Sequence, residues 1–382
     1  VVEIMMANMR VAHERKGDMA AQINALHLGA RRLDDLFEQH GREVVFEAID
    51  ELKARSEALM RRNIAAIPDG VYHARDHMDN DGVDPEPFLI DLRMVVHGDE
   101  ITFDLSGSSA QRRGPFNSPY SSTISGLMIG MKHVFTDVPI NSGCFVPFKF
   151  VIPEGSVFNP VAPAPVSATT TETAQRLVGL TMEALAQALP GKVPASAYGT
   201  GTNIGLGGES ERRGRYATIF YFGGGYGGSA SGDGLTNGAT LISASRNSSI
   251  EVLEHSVPLL FTRYAVREDS AGEGKFRGGL GVEIDFQLRV GTAYLTLVAD
   301  RGKSGPAGTA GGAPGKPAEH WFSRNGTRFQ SEHGTKIDRL YLKQGDGASL
   351  KTPGGGGYGP ARERDPALAA QDRRNGFVRT ER

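Results

Sequence analysis

The sequence has little cysteine, no long apolar run and almost no net charge. Cys144 is the only cysteine among 382 residues, which excludes an internal disulfide and a cysteine-based metal cluster. No apolar run approaches the roughly 20 residues that span a bilayer, and the N-terminus lacks the layout of a signal peptide. A formal charge of -2 creates no field that would attract nucleic acid or an anionic membrane. These absences predict a cytoplasmic globular protein with neither nucleic acid nor membrane as a partner.

Glycine, by contrast, is abundant. The chain holds 50 glycines without a fixed period, which excludes collagen and simple linkers. They cluster between strand-like runs, where glycine permits positive φ angles and close backbone approach. We therefore expect tight turns and closely packed loops. The first residue is Val1 rather than methionine, so we also expect further sequence upstream.

Helical periodicity dominates the beginning of the chain. From Glu14 to about His40, apolar residues recur every three to four positions, which predicts a long amphipathic helix. Gly41 interrupts this pattern, and a second one runs from Val45 to Ile64. The sequence thus predicts a helical hairpin over residues 1–70.

The period then changes to two, as in a strand. Leu89–Val96 and Ile101–Leu105 flank Gly98-Asp99, a dipeptide suited to a hairpin turn. Helical spacing returns over Ser121–Phe135 and again after Thr169-Thr-Thr-Glu172, which has the pattern of a capping box. These signals predict a mixed α/β domain over residues 71–192.

Strands and glycine turns dominate the remainder. We predict a glycine-rich, β-dominated domain over residues 193–360, and an extended or disordered tail over the charged residues 361–382. The fold class expected for the whole chain is α+β. The predicted strands cover residues 216–222, 259–267, 282–290, 294–299 and 339–342.

Two glycine segments have the spacing Gly-x-Gly-x-x-Gly, at residues 223–228 and 354–359. A dinucleotide-binding loop must open a helix, whereas helix-breaking residues 229–238 follow the first segment. The phosphate-binding pattern Gly-x4-Gly-Lys-[Ser/Thr] does not occur. Both segments are therefore interpreted as structural turns, and the sequence predicts no cofactor-binding residue.

The densest set of potential metal ligands runs from His73 to Gly82. It contains an Asp-x-Asp-Gly fragment typical of calcium loops, but Ile90 occupies the position where a bidentate glutamate belongs. His73 and Asp79 could meet only if the segment folded back on itself. The favoured interpretation is an acidic, solvated loop before a strand, with hard-cation binding as the alternative.

Three residues offer a nucleophilic oxygen or sulfur. Cys144 lies among Phe145, Val146 and Phe148 without a nearby base, which favours a packed core thiol over a nucleophile. Ser229 and Ser231 resemble the serine loop of amidases, but no matching lysine motif accompanies them. A serine amidase acting without ATP remains an alternative.

Asp233, Arg246 and Asn247 are the candidate catalytic residues, and the other catalytic positions are left unassigned. A guanidinium suits a carboxylate or phosphorylated intermediate, and an amide can orient a carbonyl. Glu251 and Glu254 lie close by in sequence, where they could instead cap and solvate a short helix.

Several ordered segments resemble the B-type subunit of the hydantoinase/oxoprolinase family, whose relatives include the large subunits of acetone and acetophenone carboxylases. The resemblance runs from about Met9 to Gly359, and many ordered matches carry it. They are Arg10–Asp18, Arg113–Asn117, Pro139–Cys144, Pro153–Gly155, Glu172–Arg176, Arg263-Tyr264, Gly274–Gly281 and Pro353–Gly359.

The resemblance implies a hetero-oligomer with an A-type subunit that binds ATP. It further implies ATP-dependent opening of a hydantoin, oxoproline or lactam ring, with carboxylation of a ketone and a non-catalytic scaffold as alternatives. The divalent metal of the full-length family member would be held by ligands upstream of Val1, so no metal ligand is assigned to this segment.

Overall fold

The computed structural model describes residues 1–9, 12–211 and 214–379, which form two compact units. The first unit contains residues 1–62 and 137–147, and the second contains residues 63–136 and 148 onward. N-terminal helices are followed by three β-sheets. The predicted α+β class is confirmed. Arg10 and Val11, where one of the family-like segments begins, lie outside the described residues.

The first unit is mainly helical. Helix α1 spans Val2–Ala7, α2 spans Ala12–His40 and α3 spans Arg42–Ala65. Gly41 separates α2 from α3 with a φ of 80°, a left-handed value that glycine adopts without strain. The two long helices are confirmed, but in the part of the chain that the structure describes they do not pack along each other as a hairpin would. The glycine break ends one helix without folding the next back onto it.

A short 3-10 helix over Ser142–Phe145 completes this unit. Asn141 accepts a hydrogen bond from Gly143 N and donates one to Ser56 Oγ on α3. A Cβ atom on Gly143 would lie 2.1 Å from Lys53 O, so only glycine permits this close approach. Cys144 is fully buried, which confirms the predicted core thiol.

The second unit begins with a four-stranded sheet. Its order is β1-β2-β3-β4, with antiparallel pairing except between β3 and β4. His97 pairs with Glu100 across Gly98, which has a φ of 61°, so the predicted hairpin turn is confirmed. The strands are β1 (Gly70–Met78), β2 (Phe88–His97), β3 (Glu100–Asp104) and β4 (Phe148–Val151).

Two helices pack together beside this sheet, α4 (Tyr120–Val134) and α5 (Ala174–Ala188). A Cβ on Gly130 of α4 would lie 2.5 Å from Thr181 Cβ, so the glycine lets the helices approach closely. The predicted capping box is wrong. Residues 169–173 form a π-helical turn, Thr169 Oγ1 donates to Asn117 O, and the Glu172 carboxyl is buried.

Nine further strands form a two-sheet sandwich. The sheets are antiparallel, in the orders β11-β10-β13-β8-β7 and β12-β9-β5-β6, and they share one apolar core. In β8, buried and partly exposed residues alternate, as expected of a strand with one face on a core. All five predicted strands are present. The strands are β5 (Asn203–Ser210), β6 (Gly214–Tyr221), β7 (Leu259–Val266), β8 (Val282–Leu288), β9 (Thr292–Val298), β10 (Glu319–Arg324), β11 (Thr327–Phe329), β12 (Ile337–Lys343) and β13 (Gly347–Lys351).

The glycine-rich segments pack against one another as extended chains beside the sandwich. Gly225 N donates to Pro353 O, Gly228 N to Gly356 O and Gly355 N to Gly279 O. A Cβ on Gly225 would lie 1.9 Å from Gly279 O, so the backbones meet where a side chain would stand. The next helix after the glycine segment at residues 223–228 is α6 (Ile250–Ser256), so this segment does not open a helix.

The C-terminal tail is folded, which corrects the prediction of an extended or disordered arm. A 3-10 turn over Ala361–Glu363 precedes helix α7 over Pro366–Arg374. Asp365 caps α7 by accepting the Ala367 N–H, and proline at the first helical position suits this start. The tail is anchored by ion pairs between residues far apart in sequence. Residues 380–382 lie outside the described chain.

Candidate active site

A pocket of about 130 Å³ opens beside α5 in the second unit. Helix α5 contributes Gly179, Met182 and Glu183 to this outer pocket, and the end of α4 contributes His133. The remaining walls come from loops. They are lined by Ala195, Ser196, Tyr226, Gly227, Leu241 and Thr309.

Glycine shapes one of these walls. A Cβ atom on Gly227 would lie 1.8 Å from Ala195 O, and Ala195 N donates to Gly228 O at 2.8 Å. The glycine signature at residues 223–228 therefore brings two backbone segments into contact and forms part of the pocket wall.

A smaller inner pocket of about 10 Å³ shares five lining residues with the outer pocket, including Gly179, Glu183 and Ser196. Asp76 of β1 lies here beside two arginines. Arg176 Nη1 contacts Asp76 Oδ2 at 2.6 Å, and Arg301 Nη2 contacts the same oxygen at 2.8 Å. The inner end of the site is therefore strongly charged, while the outer end carries apolar groups.

The pKa values of the two carboxyl groups of the inner pocket are shifted in opposite directions. Burial alone would raise the pKa of Asp76, but the charges of Arg176 and Arg301 lower it to about 2. Burial raises the pKa of Glu183, and repulsion from Asp76 adds to this effect. Asp76 is thus held ionised, whereas Glu183 keeps its proton to a higher pH than an ordinary glutamic acid does. Such a pair is suited to acid–base chemistry.

A third carboxyl group, that of Glu172, is fully buried and does not line the inner pocket. Glu172 accepts hydrogen bonds from Thr200 Oγ1 at 2.7 Å and Gly201 N at 2.9 Å. Burial nevertheless raises the pKa of Glu172 to about 8, and the neighbouring Asp300 carboxylate adds to the shift. Lys336 and Arg176 both contact Asp300, so the cluster combines ion pairs with one carboxyl that is neutral at pH 7.

His133 and Tyr226 complete the polar groups of the outer pocket. His133 Nε2 lies 2.8 Å from Leu241 O, and a carbonyl only accepts, so Nε2 carries a proton and donates it to this carbonyl. Burial raises the pKa of Tyr226, which keeps its phenol neutral. The pocket thus offers the imidazole N–H of His133 and the phenol O–H of Tyr226 as donors in the same cavity as the Glu183 side chain.

The predicted catalytic residue Asp233 is already paired with arginines. Arg364 donates to both of its oxygens at 2.8 Å, and Arg277 N donates to Oδ1 at 2.9 Å. Asp372 of the tail helix accepts from the same two arginines, which closes a ring of two acids and two bases. Asp233 does not line either pocket and anchors the tail to the glycine-rich segments.

Arg246 and Asn247 are exposed in the loop before α6 (Ile250–Ser256), and neither lines the outer or inner pocket. Ser249 caps α6 by accepting the Val252 N–H, and Glu254 accepts the Phe261 N–H at 2.7 Å. The structure therefore does not bring the predicted Arg246-Asn247 pair to the pocket.

Ser229 and Ser231, the nucleophiles of the alternative amidase interpretation, form a local turn. Ser229 Oγ lies 3.2 Å from Ser231 Oγ and donates to Gly232 O. Among the described residues, neither hydroxyl has a basic side chain as its hydrogen-bond partner.

The segment from His73 to Gly82 is not the solvated loop that the sequence predicts. Its first part lies in β1, and Asp79 and Asp81 are buried. Asp79 accepts backbone N–H groups of Gly302 and Lys303, and Asp81 accepts that of Gly114. Backbone donors thus occupy the oxygens that a cation would need. Among the side chains that the structure describes, no three from His, Cys, Asp or Glu are grouped as metal ligands.

Sequence reasoning misses the residues that the structure brings together. Glu172 and Arg176 fall within a family-like segment, which is the only signal for them. Asp76 lies in the segment considered as a metal site, and Arg301 follows a strand without any distinguishing motif. Asp76 lies 100 positions from Arg176 and 225 positions from Arg301, so no local pattern joins these three residues. No helix in the described structure is long and apolar enough to cross a membrane.

The chain itself is similar to proteins of a known family. A family model described as Hydantoinase B/oxoprolinase matches residues 1–361. The B component of a putative D-/L-hydantoinase from a Pseudomonas species is 32% identical, over all of this chain and 66% of that protein. The chain thus spans less than two thirds of the length of the curated relatives it matches.

Two solved structures have the same fold. The ATP-dependent caprolactamase from Pseudomonas jessenii matches with a TM-score of 0.89 and 27% identity, over 99% of this chain and 67% of that one. An acetone carboxylase matches with a TM-score of 0.84 over 99% of this chain and 57% of that one, and its 18% identity shows the fold alone. The chain belongs to the Hydantoinase B/oxoprolinase family.

Proposed function

We propose that this chain is part of an ATP-dependent cyclic amide hydrolase and that its outer and inner pockets bind the ring. One observation carries the proposal: Asp76 and Glu183 share a pocket in which the first carboxyl is held ionised and the pKa of the second is raised. The names of its relatives, a component of a putative hydantoinase and an ATP-dependent caprolactamase, support this class of reaction.

In this proposal Glu183 supplies the proton. Hydrolysis adds water across the C–N bond, so the carbonyl carbon gains oxygen and the ring nitrogen leaves with an extra proton. A protonated Glu183 can donate to that nitrogen, because burial favours its neutral form. Arg301 would stabilise negative charge that develops on the carbonyl oxygen.

ATP would activate the carbonyl from an A-type partner subunit, which makes the active protein a hetero-oligomer. This assignment rests on the family resemblance and on the caprolactamase comparison. The divalent metal that the resemblance implies finds no ligand set among the described residues, so it remains a proposal for residues outside them.

Occlusion of the pocket tests this proposal directly. Gly179 lies within α5 and lines both pockets, and a Cβ built there meets nothing within 4 Å. Gly179→Leu should therefore fill the cavity without displacing backbone, and leucine also suits a helix better than glycine. Gly29→Leu in α2 is a matched control, because its Cβ also meets nothing and it lines neither pocket.

The assay uses the chain together with its A-type partner. ATP-dependent opening of hydantoin, 5-oxoproline and caprolactam would be followed by product and ADP release. Gly179→Leu should lower kcat/KM at least about tenfold, the scale of losing a small hydrophobic site, whereas Gly29→Leu should retain wild-type activity. Turnover that is unaffected by Gly179→Leu would locate the chemistry elsewhere.

Further incubations, with a ketone and labelled bicarbonate or without ATP and the partner, separate the alternatives. Incorporation of labelled bicarbonate into a ketone, without ring opening, would identify a ketone carboxylase. Absence of both reactions in the complete complex would identify a non-catalytic scaffold. Ring opening by this polypeptide alone, without ATP, would indicate an ATP-independent amidase.

A further inference from the structure

Two buried polar atoms of the inner pocket residues have no hydrogen-bond partner within the described structure. They are Gln175 Oε1, an acceptor, and Arg301 Nε, a donor. Both residues line the inner pocket, and their exposed fractions are 1% for Gln175 and 8% for Arg301. Leaving a buried polar atom without a partner is unfavourable, so two such atoms on residues that line one pocket require an explanation.

The remaining atoms of the two side chains fix their orientation. Gln175 Nε2 donates to Thr171 O, and because a carbonyl cannot donate, the amide nitrogen must be on that side. Arg301 directs Nη1 and Nη2 at Asp76, which leaves its Nε–H uncommitted. Arg301 also has a φ of 65°, a left-handed backbone value unusual for a non-glycine residue. Such outliers often accompany functional sites.

An unpartnered acceptor and an unpartnered donor together match one secondary amide group, which has one N–H donor and one carbonyl acceptor. In a small ring the amide is held cis, so its N–H and C=O project from the same edge of the molecule. We propose, on the basis of the function proposed above, that Gln175 Oε1 accepts the ring N–H and Arg301 Nε–H binds the ring carbonyl. The protein would thereby select secondary cyclic amides over cyclic ketones of the same size.

The dimensions of the cavity agree with this placement. The inner pocket, at about 10 Å³, has room for about one water-sized group, so only the polar edge of a ring, and not its hydrocarbon part, could project into it. The outer pocket, at about 130 Å³, offers Met182, Pro194 and Leu241 to the hydrocarbon part. Glu183 lines both pockets, so this residue lies where the polar edge and the hydrocarbon part of the ring would meet.

The experiment compares two probes that differ in one group. Binding of 2-piperidone and of cyclohexanone to the full chain would be measured by ligand-detected NMR titration. Both rings have six members, but only 2-piperidone carries an N–H. Gln175→Met removes the acceptor with little change in volume. Gln187→Met is the matched control on the same helix, because Gln187 Nε2 also donates to a backbone carbonyl, that of His73, yet lines neither pocket.

The wild-type chain and Gln187→Met should prefer 2-piperidone. Gln175→Met should weaken 2-piperidone binding about five- to tenfold, the scale of one hydrogen bond, while cyclohexanone binding stays within about twofold. Equal weakening of both probes would indicate a merely structural role for Gln175 and would overturn the proposal.

A comparison on the unchanged protein keeps the proposal testable if Gln175→Met does not fold. N-methyl-2-piperidone retains the carbonyl but lacks the N–H, so it should bind the wild-type chain more weakly than 2-piperidone. Equal affinities would overturn the proposal. If the protein prefers 2-piperidone but the complex has no ATP-dependent turnover, only the proposed function is refuted. If the complex has turnover but the protein has no such preference, only the assignment of Gln175 and Arg301 is refuted.

Discussion

Arg301 holds Asp76 with both terminal nitrogens, Nη2 at 2.8 Å from Oδ2 and Nη1 at 3.2 Å from Oδ1. Arg176 approaches the same carboxylate from α5 at 2.6 Å. One carboxylate thus joins the first strand of the second unit, a helix and a residue 225 positions along the chain. This shared ion pair fixes the inner pocket, because all three residues line it.

Loss of this carboxylate should destabilise the fold. Asp76→Asn would leave two buried guanidinium groups with less negative charge, and removing one partner of a buried pair costs about 3–5 kcal/mol. Because Arg176 retains its ion pair with Asp300, we expect the free energy of unfolding to fall by about 3 kcal/mol, as measured by urea denaturation. Asp104→Asn removes the more exposed pair with Arg93 and should cost less than about 1 kcal/mol. Similar losses for the two variants would refute the structural role of Asp76.

How much of this structure can be predicted from sequence depends on how far apart along the chain the interacting residues lie. The long helices and the hairpin at Gly98 follow from local periodicity and turn chemistry, and the structure confirms them. The tail prediction failed because the partners of Arg364 and Asp372 lie up to 131 positions away, on Asp233 and Arg277. A charged, apolar-poor segment gives no local sign of such anchoring.

The candidate site is hidden from sequence for the same reason. Asp233 attracts notice because it stands in an unusual glycine loop, yet its carboxylate is paired with arginines from elsewhere. Glu172 has the pattern of a helix cap, but tertiary burial places it beside Thr200 and Gly201 instead. Burial and distant pairing decide which acids are chemically unusual, and neither can be read from spacing along the chain.

Replacement of the proposed proton donor should impair the reaction more than the fold. Glu183→Gln retains size and hydrogen bonding but cannot transfer a proton, so kcat should fall about a hundredfold, within the usual contribution of general acids. Because burial raises the pKa of Glu183, wild-type activity should persist to a higher pH than an ordinary glutamic acid allows, then decline as Glu183 ionises. The pH–rate profile of the complex with its partner measures both effects. An unchanged kcat in Glu183→Gln, or a decline at high pH that this variant retains, would exclude Glu183 as the proton donor. The exposed residue Glu86 provides the control variant, Glu86→Gln.

Glu172 should make stability depend on pH. Its pKa is about 8 in the folded chain against an ordinary value of 4.5, so its contribution is fully present below 4.5 and is lost as pH rises through about 8. Within that window this group lowers the free energy of unfolding by up to about 1.4 kcal/mol per pH unit. Glu172→Gln should therefore flatten the profile and make the protein more stable than wild type near pH 8. Urea denaturation at several pH values, with exposed Glu47→Gln as control, would detect this; a profile with the wild-type slope would show that Glu172 is ionised throughout.

Two glycines of one loop should respond oppositely to the same change. A methyl group on Gly227 would lie 1.8 Å from Ala195 O, a backbone atom that cannot move without displacing the pocket wall. A methyl group on Gly232 meets nothing within 4 Å. Gly227→Ala should therefore cost at least about 3 kcal/mol, the upper range for overpacking, and weaken ligand binding in the outer pocket. Gly232→Ala should change stability by less than about 0.5 kcal/mol. Thermal denaturation with ligand titration checks both, and equal tolerance of the two substitutions would show that the Gly227–Ala195 contact does not form the wall.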